Sequence, residues 1–374
     1  MTNPTQQIVV GVLSERAAGE RRVALIPADI RKLISSATFV VEGGAGLEAG
    51  FKDNAYVDAG ARIRDSREIL EGCDVVVKVR PPSVEETPRG GRTLISLGGR
   101  DPDLGERLRK GAVIHLALER VPRTTRAQPM DVLSSQASIA GYASVLEGAR
   151  ALGVLLPMLT TAAGTIKPAR MIALGAGVAG LQAIASARRL GAVVHGFDVR
   201  AAAREQVESL GATFVSVDGN IGAGESAGGY AREQSSDQQT LLRRALARHL
   251  AAMQLVVTTA QIPGRPAPLL IDRETLSMMQ PGAVIVDLAA ETGGNCEVTR
   301  PDQTVTVSGV RVMGPTNLPS LMATDASRMF SGNIRALLAY LLEGSGRLNL
   351  DASDPISGAL LAGQRVAHAP VAAA

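Results

Sequence analysis

The chain has 374 residues, enough for two domains of ordinary size, and is 45 per cent hydrophobic and 20 per cent charged, a composition that builds sizeable cores without disulfides. Aromatic residues make up 2 per cent and tryptophan is absent, which argues against base-stacking nucleic-acid binding. The 39 basic and 36 acidic residues are well mixed, with no basic block that would mark a polyanion partner.

The opening Met1-Thr2-Asn3-Pro4-Thr5-Gln6-Gln7 has no basic region followed by an apolar core, so no signal peptide is expected. Residues 8–13 form a short apolar run that predicts a buried strand. Residues 27–34 predict a helix, and residues 39–42 a second strand closed by Gly43 and Gly44. Residues 74–79, 93–97 and 113–118 continue the alternation of strand and helix, the pattern of a parallel sheet covered on both faces. A long helix is expected over residues 134–152, with Ile139, Tyr142, Leu146 and Ala149 at helical spacing, bridging two domains.

The most apolar long segment, residues 139–159, carries Glu147, Arg150 and Pro157. It reads as a buried helix of a soluble chain, and no run reaches the ~18 apolar residues that direct membrane insertion needs. A second alternating unit starts at Ala169, with apolar runs at 171–174, 193–197, 213–217, 255–257 and 283–287. A helix over 325–342 is expected to return the chain to the first domain, and residues 367–374 read as disordered. Cys73 and Cys296 lie far apart without CxxC spacing, the usage of a reducing compartment. His115, His195, His249 and His368 form no HxxxH pattern, so no metal site is expected. The fold class that follows is α/β, with two doubly wound parallel-sheet, Rossmann-like domains joined by long helices. One domain is expected to comprise residues 1–130 with 320–374, and the other residues 131–319.

Gly175-Ala176-Gly177-Val178-Ala179-Gly180 follows an apolar strand and opens a helix over 181–190. In that context Gly175 allows a tight turn, Gly177 lets backbone approach a pyrophosphate, and Gly180 lets helix and strand pack closely. The start of the helix then offers free N–H groups and a positive dipole end to phosphates. The next strand ends at Asp198, followed by Val199 and Arg200. A carboxylate at that spacing accepts hydrogen bonds from a ribose diol and repels a 2′-phosphate, which favours NAD over NADP. Arg200 works against that preference, because an arginine nearby can hold the phosphate. Thr259 and Ala260 are further candidate cofactor contacts.

The polar stretch Pro122-Arg123-Thr124-Thr125-Arg126-Ala127-Gln128-Pro129-Met130-Asp131-Val132-Leu133-Ser134-Ser135-Gln136 precedes the first long helix. With it go Glu20-Arg21-Arg22-Val23-Ala24-Leu25, Leu159-Thr160-Thr161-Ala162-Ala163-Gly164-Thr165, Ile262-Pro263-Gly264-Arg265-Pro266-Ala267-Pro268 and Glu291-Thr292-Gly293-Gly294-Asn295-Cys296. Over residues 10–348 these segments resemble the NAD(H)-binding component of proton-translocating nicotinamide nucleotide transhydrogenases, relatives of alanine dehydrogenase. The resemblance implies that NADH held here passes hydride to NADP(H) bound on a partner subunit, and that this chain is inactive alone. It also implies membrane-spanning and NADP-binding partner subunits, a homodimer, and a cytoplasmic position at the inner face of the cell membrane. The first domain would be alanine dehydrogenase-like and the second would bind NAD(H).

Hydride transfer between nicotinamides needs two rings held at near-attack distance and no general acid. The resemblance gives that holding role to Arg123, Asp131 and Ser134, whose side chains can hydrogen-bond one another and the carboxamide. It has Gln128 reach toward the partner nucleotide. Pro129 directly after it restricts Gln128 toward extended backbone. The glycine-dense residues 218–230 are similar to the family's mobile loop, with Tyr230 as its contact residue. Arg265, Pro266, Pro268, Gly293, Gly294 and Asn295 are expected at the carboxyl ends of the strands.

An alanine dehydrogenase-like enzyme is the first alternative, with Arg22 and Lys78 at substrate-binding positions. The histidine it requires in residues 93–98 is missing, Ser96 stands there, and Glu291 replaces an expected aspartate. The second alternative is a non-enzymatic NAD(H) sensor.

Overall fold

The computed structural model describes residues 7–217, 236–262, 264–343 and 347–361. The chain divides into two compact units, one of residues 1–136 with 320–374 and one of residues 137–319.

The first unit holds β1 (Val9–Val12), β2 (Thr38–Glu42), β3 (Arg62–Arg64), β4 (Val75–Val77), β5 (Thr93–Ser96) and β6 (Ile114–Ala117). They form one sheet in the order β3-β2-β1-β4-β5-β6, with every pair parallel and Val10 set between Phe39 and Val75. The strand order reverses at β1, the arrangement of a doubly wound sheet. Both faces are covered, so the strands read as near-continuous apolar runs, and Val10, Val12, Phe39, Val75, Val77 and Ile95 are fully buried. The helix Ala323–Leu341 contributes Phe330, Ile334, Leu337, Leu338 and Leu341 to the same core.

The second unit begins with β7 (Leu159–Thr161) and β8 (Gly164–Ile166), an antiparallel hairpin of its own. Its main strands are β9 (Arg170–Leu174), β10 (Val193–Phe197), β11 (Thr213–Phe214), β12 (Leu255–Thr258), β13 (Val284–Asp287), β14 (Thr304–Val307) and β15 (Val310–Met313). Their order is β11-β10-β9-β12-β13-β15-β14, parallel throughout except at the β14–β15 edge. Here the order reverses at β9, between β10 and β12, so the fold class is α/β with two doubly wound, Rossmann-like sheets.

Several expectations differ from the structure. The strand expected over 213–217 shortens to two residues, Thr213 and Phe214. No apolar run announced β3, which reads Arg-Ile-Arg, or the β7–β8 hairpin, whose strand residues are all exposed. The β14–β15 hairpin turns on Ser308 and Gly309, both at positive φ (52° and 78°), the two-residue geometry that suits the twist of the strands.

The first long helix spans Val132–Ala151, but the apolar face expected from Ile139, Tyr142, Leu146 and Ala149 is not its buried one. Tyr142 is 42% exposed, whereas Gly141, Ala143, Ser144, Val145 and Gly148 are buried. The reason is close approach. A Cβ on Gly141 would lie 2.1 Å from the Ala179 carbonyl oxygen, and one on Gly148 would lie 2.5 Å from the Leu255 side chain. Apolar periodicity does not register a face made of glycine and alanine. Among the described residues no helix is long and apolar enough to cross a membrane. The expectation for residues 367–374 falls outside the described residues.

Candidate functional site

β9 delivers the chain to the glycine turn, and the helix Val178–Arg189 leaves it. Gly175 has φ +103°, and a Cβ there would meet Thr259 Oγ1 at 2.6 Å. Thr259 itself donates to the Gly175 carbonyl at 3.0 Å, which ties the end of β12 to the turn. A Cβ on Gly180 would sit 1.8 Å from that same carbonyl oxygen, so the first turn of the helix can rest on the strand only without a side chain. Gly177 is different: a Cβ there would meet nothing within 4 Å. The turn is closed beneath and open above, which fits a pyrophosphate approaching the helix N-terminus. Val178 is exposed and Ala179 half-buried at that opening.

Asp198 ends up beside the turn, as its spacing predicted, but it is already engaged. Its Oδ2 accepts from the Ala176 N–H at 2.8 Å and from Arg200 Nη2 at 2.9 Å. Its Oδ1 accepts from the Arg200 N–H and Nε, each at 2.9 Å. The ion pair is largely buried, with side-chain exposures of 19% for Arg200 and 8% for Asp198. Val199 is half-buried against the core of the unit.

Two buried side chains, Asp287 and the Asn295 expected at the strand ends, support this platform. Asp287, at the end of β13, is fully buried and accepts from Thr258 Oγ1, Ala289 N, Asn295 N, Cys296 N and Thr299 Oγ1 at 2.6–3.1 Å. Asn295 is fully buried too. Its amide accepts from the Ala260 N–H at 3.1 Å and donates to the carbonyls of Ala260 and Pro268, each at 2.8 Å. The residues after β12 therefore take their shape from the Gly294-Asn295 corner. Gly293 and Arg265 are exposed nearby in sequence, and Pro266 with them.

The polar stretch lies in the first unit. Gln128–Met130 forms a single 3-10 turn between two buried anchors, Ala127 and Met130, and leaves Gln128 exposed. Pro129 was expected to push Gln128 toward extended backbone. The hydrogen bonds Met130 N to Ala127 O (2.9 Å) and Gln128 N to Thr124 O (3.1 Å) hold it in the turn instead. Arg123 is exposed. Where the sequence suggested an Arg123–Asp131 bond, the Asp131 carboxylate accepts from the Ser134 N–H at 2.9 Å and Ser134 Oγ at 2.6 Å. Asp131 thereby caps the long helix, the same service a side-chain oxygen gives at any helix start. Ser135 Oγ donates to Asn333 Oδ1 at 2.6 Å, and Asn333 Nδ2 donates to the Pro129 carbonyl at 2.8 Å. Tyr230 and residues 218–230 lie outside the described residues.

Arg22 and Lys78, the two cations that an alanine dehydrogenase reading would set at substrate positions, are matched internally. Arg22 is buried, with Nε and Nη2 on Glu20 at 2.8 and 2.6 Å and Nη1 on Gln136 at 2.8 Å. Lys78, 1% exposed, donates to Glu86 at 2.7 Å and to the Ser14 carbonyl at 2.9 Å, with Glu15 at 3.6 Å. Ser96 is completely buried and lies 3.1 Å from His115 Nε2, a histidine that β6 supplies; burial lowers the pKa of that ring.

Burial pushes the Glu15 carboxyl up to about 7, against the pull of Lys78 and the Val79 and Arg80 N–H groups. Burial would raise Glu86 as well, but hydrogen bonds from Lys78, Ser83 and Arg16 outweigh it and hold Glu86 at about 2. The signs differ. Stability from Glu86 is present above pH ~4.5 and is lost only as pH falls toward ~2. The raised Glu15 favours folding fully below pH ~4.5, and that contribution is lost as pH rises through ~7. Denaturant unfolding at pH 5 and pH 8 is therefore expected to show wild type losing about 3 kcal/mol more than Glu15→Gln over that interval. Equal losses would show that Glu15 is ionised throughout.

Residues 11–140 match the family model described as Alanine dehydrogenase/PNT, N-terminal domain, and residues 144–366 match Alanine dehydrogenase/PNT, C-terminal domain. An NAD(P) transhydrogenase subunit alpha chain of Rhodospirillum rubrum is 43% identical over 337 residues, covering 87% of this chain and 88% of that one. The crystal structure of transhydrogenase from Sinorhizobium meliloti superposes with a TM-score of 0.80 at 40% identity, over 90% of this chain and 94% of that chain. An L-alanine dehydrogenase structure follows at 0.76 and 28% identity, over 90% and 91%. The chain belongs to the alanine dehydrogenase/PNT family, on the side of the NAD(P) transhydrogenase alpha subunits.

Proposed function

We propose that this chain is the NAD(H)-binding subunit of a proton-translocating transhydrogenase, passing hydride between NADH and NADP bound on a partner subunit. The observation that supports it most is the glycine turn, packed tight at Gly175 and Gly180 and open above Gly177. The unit of residues 137–319 is then the NAD(H)-binding domain, and the other is the alanine dehydrogenase-like domain. When bound, the nicotinamide ring supplies the carbon that gives up or accepts hydride. The protein's part is to hold and orient. Backbone N–H groups of Val178, Ala179 and Gly180 take the pyrophosphate, and Asp198 takes the adenosine ribose, with Val199, Arg200, Thr259 and Ala260 around it. Arg123, Asp131 and Ser134 hold the carboxamide, and Gln128 turns toward the partner nucleotide. Partners are the membrane-spanning and NADP-binding subunits and a second copy of this chain, at the inner face of the cell membrane. The alanine dehydrogenase reading loses support because Arg22 and Lys78 are each neutralised by buried carboxylates.

The test mixes the chain with an NADP-binding transhydrogenase component and follows hydride transfer from NADH to an NADP analogue. Transfer is expected only with both proteins present. Alanine-dependent NADH formation by the chain alone would favour the dehydrogenase instead, and NADH binding without either activity would favour the sensor. Asp198→Asn in the same assay is expected to weaken NADH binding about tenfold, the worth of one hydrogen bond to a charged acceptor. Unchanged NADH affinity would remove Asp198 from the site.

A further inference from the structure

Gln128 and Pro129 are the exposed crest of the turn between the buried anchors Ala127 and Met130. The turn's own hydrogen bonds fix its internal shape but not its tilt. Proline has no N–H to offer, so residue 129 itself can be held by a hydrogen bond only through its carbonyl. That carbonyl accepts from Asn333 Nδ2 at 2.8 Å, from the middle of the helix Ala323–Leu341. The other end of the Asn333 amide accepts from Ser135 Oγ at 2.6 Å. Ser135 in turn lies 3.3 Å from Gln136 Nε2, which also donates to the Ala326 carbonyl at 3.1 Å. Gln136 Oε1 accepts from Arg22, itself paired with Glu20. A hydrogen-bonded chain thus runs from a buried ion pair, through the start of the long helix, to the crest of the turn.

We propose that Asn333 is a positioning residue for hydride transfer, acting through Pro129 to fix the direction in which Gln128 projects. This inference rests on the transhydrogenase reading. An amide suits the position because one end must donate and the other accept. Alanine releases the Pro129 carbonyl. Aspartate keeps the bond from Ser135 but sets a carboxylate oxygen against that carbonyl.

The experiment measures single-turnover hydride transfer from NADH to an NADP analogue, with the NADP-binding component, for Asn333→Ala, Asn333→Asp, Gln128→Ala and Asn333→Ala with Gln128→Ala. NADH affinity is measured alongside by nucleotide fluorescence. Asn333→Ala is expected to slow transfer about tenfold to a hundredfold, the scale of an ångström-sized misplacement, with NADH affinity changed less than about threefold. Asn333→Asp should slow it at least as much. The double variant should be no slower than Gln128→Ala alone, because Asn333 acts only through that side chain. A merely structural asparagine would instead lower transfer and NADH affinity together, and its effect would add to that of Gln128→Ala. Either result, or full transfer in both Asn333 variants while Gln128→Ala is slow, overturns the proposal and leaves the transhydrogenase reading standing. No transfer by wild type overturns both.

Discussion

Gly177→Ala is expected to leave the melting temperature within about 3 °C of wild type and to weaken NADH binding roughly tenfold to a hundredfold. The added methyl meets no protein atom within 4 Å, and Gly177 has an ordinary φ of −78°, so the fold takes it without strain. Alanine is a poorer N-cap than glycine by about 1 kcal/mol, but it narrows the unfolded ensemble by a similar amount, and the two effects nearly offset. What the methyl fills is the room through which backbone N–H groups would reach a pyrophosphate. Gly180→Ala is the counterpart. Its methyl would stand 1.8 Å from the Gly175 carbonyl oxygen, so the helix Val178–Arg189 must lift off β9. That overpacking is expected to cost about 1–3 kcal/mol and to abolish NADH binding with it. The measurement is a fluorescence titration with NADH beside a thermal melt for each variant. Equal NADH affinity for Gly177→Ala and wild type would show that the open side of the turn is not where the nucleotide sits.

Asp287→Asn is expected to destabilise the second unit by about 3–5 kcal/mol, the cost of leaving buried donors unmatched. The substitution is nearly isosteric, so no cavity complicates the result. Its carboxylate serves three backbone N–H groups and two threonine hydroxyls. An asparagine amide has one acceptor oxygen, and its NH2 would face donors. The hydroxyls of Thr258 and Thr299 can rotate away, but the N–H groups of Ala289, Asn295 and Cys296 are fixed by the backbone. Denaturant unfolding monitored by far-UV circular dichroism reads the loss. A change under about 1 kcal/mol would mean that water or a backbone shift satisfies these donors, so that Asp287 does not hold the corner.

Both sheets and the glycine turn were legible because their signals are local. β13 reads Val-Ile-Val-Asp with every residue buried, and a fully covered parallel strand has no other way to read. The turn announces itself because glycine is required at Gly175 by its positive φ and at Gly180 by the Gly175 carbonyl in the same turn. The exposed β7–β8 hairpin carries no alternation to detect. The face of the long helix was misjudged because glycines, not apolar side chains, make its close contacts. Asn333 and the anchoring role of Asp287 were invisible for a different reason. Each draws its meaning from partners far off in sequence, as Asn333 does from Pro129, 204 residues away. The engaged state of Asp198 was half-legible: its place followed from spacing, but its pairing with Arg200 depends on where the arginine folds back.

The first unit is interrupted in the chain. Its core needs Phe330, Ile334, Leu337 and Leu341 from the returning helix, and these follow the whole of residues 137–319. During synthesis at ~5–20 residues per second, the six strands wait roughly ten to forty seconds before the piece that completes them emerges. The second unit, written without a break, can finish in that interval. The half that is translated first is thus the half that is completed last, and in a released chain truncated after residue 319 the second unit would be protected from protease while Val10, Phe39 and Val75 were not.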